Sequence, residues 1–152
     1  MKKTLLLSMI ITVLIVSCSQ EPVKFPIGAW NLVQTQRVTN GKSVITFPTA
    51  ANVGKTSQLK MFSEKTWMFV GKSLRDTIVA DVYGGGTYTL EGTKYEEYIM
   101  YHYGKQWIGR TSKNMTMELV NDTLVQSYHP INASDGLAID SITNIQKYVR
   151  LE

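Results

Sequence analysis

From Ile27 onward, apolar and polar side chains alternate in short segments with a period of two residues. In one such segment Met115, Met117 and Leu119 share a face, and polar residues occupy the positions between them. Thr, Tyr, Val, Ile, Trp and Phe are frequent in these segments, and they suit a pleated, half-buried surface. After residue 27, no window shows the apolar period of about 3.6 residues that marks an amphipathic helix. The pattern therefore predicts an all-β chain.

Turn sequences separate the alternating segments at intervals of roughly 8–12 residues. Asn40-Gly41 is the clearest of them, because both residues tolerate the positive φ of a two-residue hairpin turn. About eight to ten strands favour one barrel or sandwich over separate domains, and we predict a single antiparallel β-barrel. The predicted strands cover residues 28–39, 43–47, 57–63, 66–71, 86–91, 94–103, 113–120, 122–129 and 142–151, with 76–83 as a further pairing segment.

The first residues predict a targeting segment that is not part of the fold. Lys2 and Lys3 form a positive start, and the apolar run at 5–16 is too short to span ~30 Å of hydrocarbon. Ile15-Val16-Ser17-Cys18 resembles a bacterial lipobox, in which cleavage leaves the cysteine as the lipidated N-terminus. Cys18 is the only cysteine in the chain, as expected for a thiol that is acylated. We predict a lipoprotein signal peptide at 1–17, a lipidated tether at 18–26 and a barrel domain at 27–152.

Lipidation of Cys18 would anchor the domain in the bacterial cell envelope. Ser19 is compatible with sorting to the outer membrane, and the sequence leaves open which face of that membrane carries the domain. The alternative is that Cys18 is an ordinary residue near a signal-peptidase site. The formal net charge is +4, of which Lys2 and Lys3 supply half. A nearly neutral domain gives no electrostatic reason to expect nucleic acid as a partner.

Glu97 is the carboxylate with the strongest claim to an interior position. On a strand it shares a face with Tyr95, Ile99 and Tyr101, whereas the adjacent Glu96 points to the opposite face. An interior carboxylate needs hydrogen-bond partners or a raised pKa. The alternative is that this face is solvated and Glu97 is a surface charge.

Motifs for metal binding and for catalysis are missing from the sequence. His102 and His129 are the two histidines, and neither forms an H-x-H or H-E-x-x-H pattern. The sequence contains no G-x-S-x-G nucleophile motif. We therefore predict no metal and no cofactor, and an enzyme that uses Glu97 and a tyrosine for proton transfer is the least favoured of three hypotheses.

Gly28-Ala29-Trp30 opens the first predicted strand as G-x-W, and Arg150 ends the last strand. Together with the intervening hairpins, these features resemble lipocalin-like barrels. The resemblance implies that Arg150 packs over Trp30 and bonds carbonyls of the first strand, which closes one end of the barrel. More closely, the chain resembles the lipocalin-like lipoproteins of Bacteroidetes, a domain of unknown function. The sequences that carry this resemblance are Gly28-Ala29-Trp30-Asn31-Leu32-Val33, Lys60-Met61-Phe62, Trp67, Gly85-Gly86-Thr87-Tyr88, Tyr95-x-Glu97-x-Ile99-x-Tyr101, Asp122-Thr123-Leu124 and Tyr148-x-Arg150.

An eight-stranded barrel has an interior sized for one small ligand. The first hypothesis is thus a non-enzymatic protein that binds a small amphipathic or apolar molecule at the cell envelope. The second hypothesis is an envelope protein-interaction module with a filled barrel, which acts through the loops at 104–112 and 129–141. Apolar and aromatic residues alone usually form packed core. A binding site needs a few polar groups as well, so we select aromatic residues together with polar residues as candidates for ligand binding. The candidate ligand-binding residues are Gln34, Gln36, Trp67, Phe69, Tyr88, Tyr95, Glu97 and Tyr101.

Overall fold

The computed structural model describes residues 25–132 and 137–152, so the predicted signal peptide and Cys18 lie outside the described residues. Between Lys105 and Trp107 the chain forms one short 3₁₀ helix. The described residues otherwise form strands and connections. The strands are β1 (Gly28–Thr39), β2 (Lys42–Phe47), β3 (Ser57–Phe62), β4 (Thr66–Arg75), β5 (Ile78–Glu91), β6 (Lys94–His102), β7 (Thr111–Val120), β8 (Thr123–Tyr128) and β9 (Ile142–Arg150).

All strand pairs are antiparallel, and the sheet closes on itself. From β3 to β9 each strand pairs with the next, and β1 completes the circle by pairing with β3 on one side and β9 on the other. The remaining strand, β2, pairs with the last residues of β1 and lies outside the closed ring. The prediction of a single antiparallel β-barrel is confirmed, with eight strands in the barrel and one beside it.

Two strands, β4 and β5, are longer than predicted by four residues or more. The predicted segment 86–91 and most of the segment 76–83 belong to one strand, β5, which begins at Ile78 and runs through the three glycines at 84–86. The backbone of β6 comes so close that a Cβ on Gly86 would lie 1.9 Å from the carbonyl oxygen of Tyr98. A side chain at this position would clash with β6, so glycine allows the strand to continue here. The preceding strand extends to Arg75, and Asp76 turns the chain with a φ of 53°.

Large apolar side chains fill one end of the barrel, which is called the closed end below. Trp30, Tyr95, Tyr148, Met117 and Leu124 are each at most 1% exposed. They come from five different strands and form one cluster with their buried neighbours. The opposite end, called the open end, is where β4 turns into β5, β6 into β7 and β8 into β9. Inside the barrel, the packed closed end leaves free space only towards the open end.

Gly28, Trp30 and Arg150 meet at the closed end. Trp30 pairs with Arg150 across the β1–β9 ladder, and the guanidinium carbon lies 4.6 Å from the indole ring centre. A Cβ on Gly28 would lie 3.2 Å from a terminal nitrogen of Arg150. The indole N–H donates a hydrogen bond of 2.7 Å to the carbonyl of Pro26. The cation–π contact is as expected, but bonds from Arg150 to carbonyls of β1 were a wrong expectation, since the guanidinium stacks on the ring without reaching them.

Candidate ligand-binding cavity

A cavity of about 580 Å³ occupies the interior of the barrel towards the open end. This volume falls in the range of small-molecule pockets. Residues from all nine strands line it, together with the 3₁₀ helix and the segment before β3. Aromatic rings and polar groups alternate around the wall. The cavity is therefore suited to a molecule that has both apolar and polar parts.

A buried ion pair forms the floor of the cavity. The ammonium nitrogen of Lys60 lies 2.6 Å from Oε1 of Glu97 and donates a second hydrogen bond of 2.7 Å to Oε1 of Gln126. The hydroxyl of Tyr95 donates to the same oxygen of Glu97 at 2.5 Å. All four side chains are less than a tenth exposed. Burial of a charge is tolerated when it is both paired and hydrogen-bonded, as it is here.

Aromatic rings surround the ammonium group of Lys60. Its nitrogen lies 5.1 Å from the ring centre of Trp67, 5.4 Å from that of Phe62 and 5.5 Å from that of Tyr95. These distances are within the range of cation–π attraction. The rings thus add to the electrostatic stabilisation that Glu97 gives to the cation, and they hold the lysine at the centre of the barrel.

The walls carry hydrogen-bonded amides and phenols. Gln58 donates a bond of 3.1 Å to the hydroxyl of Tyr148, which donates one of 2.9 Å to Oε1 of Gln146. Asn144 is buried and accepts a bond of 3.2 Å from Nε of Arg37. No buried side-chain nitrogen or oxygen in the described residues lacks a partner. The buried polar groups of the wall therefore have hydrogen-bond partners within the protein before any ligand enters.

Burial shifts the titration of several groups around the cavity. Burial is the largest cause that raises the pKa of Tyr95 well above its ordinary value, and the charge and hydrogen bond of Glu97 add to it. Burial likewise raises the pKa of Tyr148 strongly and that of Tyr128. The pKa of His102 is lowered, also by burial. These groups are consequently neutral at pH 7 and serve as hydrogen-bonding and apolar surface.

His102 belongs to an aromatic cluster at the open end. Its ring lies 4.3 Å from that of Tyr103, 5.9 Å from that of Phe69 and 6.4 Å from that of Trp107. The backbone N–H of Gly104 donates to its Nδ1 at 3.0 Å. All four rings line the cavity. Together they form an aromatic rim that an incoming apolar group would meet first.

Three of the predicted ligand-binding residues, Trp67, Phe69 and Glu97, line the cavity. Tyr95 lies beneath Glu97 and holds it by a hydrogen bond. Tyr88 is at the closed end, where its hydroxyl donates to the carbonyl of Ser63 at 2.8 Å. It lines a separate cavity of about 380 Å³ there. The alternation pattern correctly predicts that Tyr95 and Glu97 point inward, and their role in binding stays a prediction.

The other three candidates, Gln34, Gln36 and Tyr101, do not line the cavity. Val33 has no partner in β9, because Leu32 and Gln34 on either side of it pair with two consecutive β9 residues. This β-bulge exchanges the inward and outward positions in the rest of β1. Thr35 therefore faces inward and Gln36 outward, where its amide bonds Ser43. Met100 is an extra residue in β6 in the same way. The bulge turns Tyr101 outward, where it covers Gly85, and the expectation that these three residues face the interior is wrong.

The sequence did not single out Lys60, Gln126, Asn144 or Arg37 as site residues. A signal was nevertheless present for two of them. Lys60 shares a strand face with Phe62, and Gln126 shares one with Leu124, and both of those apolar residues are buried. A polar residue that alternates with buried apolar ones is a candidate for a polar cavity floor.

No protein-family model matches the chain, and no curated protein matches it either. The residues that the structure describes contain no group of three or more His, Cys, Asp and Glu side chains able to hold a metal ion. They also contain no helix that is long and apolar enough to cross a membrane. The class that the fold and the cavity define is thus an eight-stranded antiparallel barrel with an internal cavity.

Proposed function

We propose that the protein is a lipoprotein of the bacterial cell envelope, similar to the Bacteroidetes lipocalin-like lipoproteins, that binds one small amphipathic molecule without catalysis. The observation that carries this proposal is the cavity of about 580 Å³ with a charged, fully bonded floor and an aromatic rim. Such a mixed lining suits a ligand with an apolar body and a polar group better than a pure hydrocarbon chain.

Binding is favoured over proton-transfer catalysis because Oε1 of Glu97 already accepts two hydrogen bonds. Lys60 and Tyr95 both donate to its Oε1. The raised pKa of Tyr95 makes its phenol a poor acid. An interaction module with a filled barrel is less favoured, because its interior would be packed by side chains.

The position of the tether suggests how the anchored protein is oriented. The described chain begins at Phe25, which packs against the closed-end core, and Pro26 accepts the indole hydrogen bond of Trp30. With Cys18 lipidated, the closed end would face the membrane and the cavity would open away from it. This orientation supports uptake of the ligand from the aqueous phase of the envelope.

Tryptophan fluorescence tests the proposal. Trp67 and Trp107 line the cavity, whereas Trp30 lies at the closed end. We expect saturable changes in emission when amphipathic molecules are titrated into the domain, and we expect them to shrink in Trp67→Phe and Trp107→Phe. Native mass spectrometry of the protein purified from its own envelope would show a bound small molecule.

A variant that fills the cavity provides the control. Ser73 lines the cavity, so Ser73→Phe should reduce binding, whereas Thr87→Phe on the exposed surface should not. Absence of saturable binding by any amphipathic molecule, with the fold intact, would reject the proposal. Such a result would favour the interaction module.

A further inference from the structure

More positively than negatively charged side chains line the cavity. Within the described chain, Arg37, Lys60 and Lys72 line it as cations, and Glu97 lines it as the single carboxylate. The cavity therefore has a positive surplus before any ligand binds. Which cation carries the available charge depends on what each of them already contacts.

Two of the three cations already have neighbours of opposite sign. Lys60 is paired with Glu97 at 2.6 Å and is further bonded to Gln126. Lys72 lies at the rim, directly opposite Asp81 in the β4–β5 ladder, where opposite charges attract. Lys60 therefore provides no free charge, and Asp81 offsets part of the charge of Lys72 from the neighbouring strand, although the two make no direct ion pair among the described residues.

Arg37 differs from both. Its Nε donates to Asn144 at 3.2 Å, which fixes the side chain against the cavity wall next to Tyr128. In the described part of the chain no carboxylate lies within salt-bridge distance of the guanidinium, and its two terminal amino groups have no hydrogen-bond acceptor. The planar end of a guanidinium matches a carboxylate or another oxyanion with two parallel hydrogen bonds.

We propose that Arg37 is an anion-recognition residue and that the cavity takes a small amphipathic molecule with a single anionic head group. This inference rests on the proposed binding function and specifies its ligand class. The head group contacts the terminal nitrogens of Arg37 near the mouth. The apolar body packs deeper, against Trp67 and Ile99. Asn144 is a positioning residue, because it holds the guanidinium through Nε.

Three probes with the same alkyl chain test the charge preference: decanoate, decanol and decyltrimethylammonium, each below its micelle concentration. Calorimetry should give decanoate an affinity at least about tenfold higher than decanol, the effect of one charge-assisted hydrogen-bonded pair. The cationic probe should bind most weakly. Added salt should reduce the preference for decanoate, because it screens the partly exposed pair. Acetate, which lacks the apolar body, should bind far more weakly than decanoate.

Variants assign the preference to Arg37. Arg37→Gln should abolish the difference between decanoate and decanol, because it lowers the affinity for decanoate much more than the affinity for decanol. Asn144→Asp places a carboxylate beside the guanidinium and should also weaken decanoate selectively. Lys42→Gln removes the same charge from an exposed position at the same end and should leave the preference intact.

The outcomes separate this inference from the function on which it rests. Equal or tighter binding of decanol or the ammonium probe by the unchanged protein would overturn the anion preference and leave the binding function standing. A preference that survives in Arg37→Gln but disappears in Lys42→Gln would overturn the assignment to Arg37. Failure of all three probes to bind would reject the binding function itself.

Discussion

Nζ of Lys60 lies 2.6 Å from Oε1 of Glu97 in the interior of the barrel, and the two side chains are 4% and 9% exposed. Removal of one partner leaves an uncompensated buried charge, which costs about 3–5 kcal/mol. Lys60→Met and Glu97→Gln should each lower the free energy of unfolding by that amount. Lys60→Met/Glu97→Gln should lose less than the sum of the two, because it leaves no isolated charge. Chemical denaturation followed by tryptophan fluorescence measures all three.

The pair formed by Lys94 and Glu96 is a matched control for this prediction. Its nitrogen and oxygen lie 3.2 Å apart, but the lysine side chain is 64% exposed. Exposed pairs contribute about 0–1 kcal/mol, because water and salt screen them. Lys94→Met should therefore change the free energy of unfolding by less than about 1 kcal/mol. A loss in Lys60→Met as small as that in Lys94→Met would show that the buried pair is not the stabilising contact that the geometry indicates.

The contact between Arg150 and Trp30 leads to a second prediction. With the guanidinium 4.6 Å from the indole centre and no hydrogen bond to β1, Arg150→Ala should cost about 1–2 kcal/mol, the range of a partly desolvated cation–π pair. Trp30→Ala should cost about 3–5 kcal/mol, because it also leaves a cavity. The two losses should be less than additive in a double-mutant cycle. Trp30→Phe is the control, since it removes the bond to Pro26 and retains an aromatic face. Full additivity would mean that the two side chains do not interact.

The signal segment leads to a third prediction, which concerns location. Cys18→Ser should move the domain from the membrane fraction to the soluble fraction, because an acyl group is the anchor that the sequence predicts. Immunoblotting of separated envelope fractions measures the change, and mass spectrometry of the unchanged protein should show the acyl mass. Ser19→Ala, which retains the cysteine, is the control and should remain in the membrane fraction. Membrane association of Cys18→Ser equal to that of the unchanged protein would reject lipidation as the anchor.

Alternation and turn sequences suffice to predict the barrel because they report local properties of a strand. Met115 and Met117 face the core as their spacing predicts, and Asn40-Gly41 makes the turn between β1 and β2. A bulge breaks this logic, because one extra residue exchanges the two faces of everything that follows it. Neither Val33 nor Met100 differs in type from an ordinary strand residue, so the sequence does not mark these positions.

The cavity floor was harder to predict than the fold for a different reason. Lys60 is 37 residues from Glu97 and 66 residues from Gln126 along the chain. A lysine is buried only when such partners reach it, and their approach depends on the register of strands distant in sequence. Glu97 was identified because tyrosines flank it on the same face, whereas the neighbours of Lys60 on its own strand face are Gln58 and Phe62, and neither carries the opposite charge that would indicate a partner.

The buried phenols of Tyr95, Tyr128 and Tyr148 lead to a prediction about alkaline pH. Their pKa values are raised in the folded barrel, mainly by burial, whereas in the unfolded chain a tyrosine ionises at pH about 10. Between those two values the unfolded state has lost protons that the folded state retains. Stability is therefore complete below pH about 10 and falls as the pH rises above it. Unfolding should accompany the ionisation of these three residues.

Absorbance of tyrosinate, recorded together with circular dichroism, measures this coupling. Tyr98, which is 45% exposed, serves as the comparison. The buried tyrosines should titrate in a single steep step that coincides with loss of the circular dichroism signal. Tyr148→Phe should make that step less steep, because one fewer phenol ionises in it, whereas Tyr98→Phe should leave its steepness unchanged. Smooth titration of all the tyrosines with β-structure intact would contradict this prediction, because it would show that water reaches these phenols in the folded barrel. The walls of the cavity would then be more open than the hydrogen bonds that join Tyr148 with Gln58 and Gln146 imply.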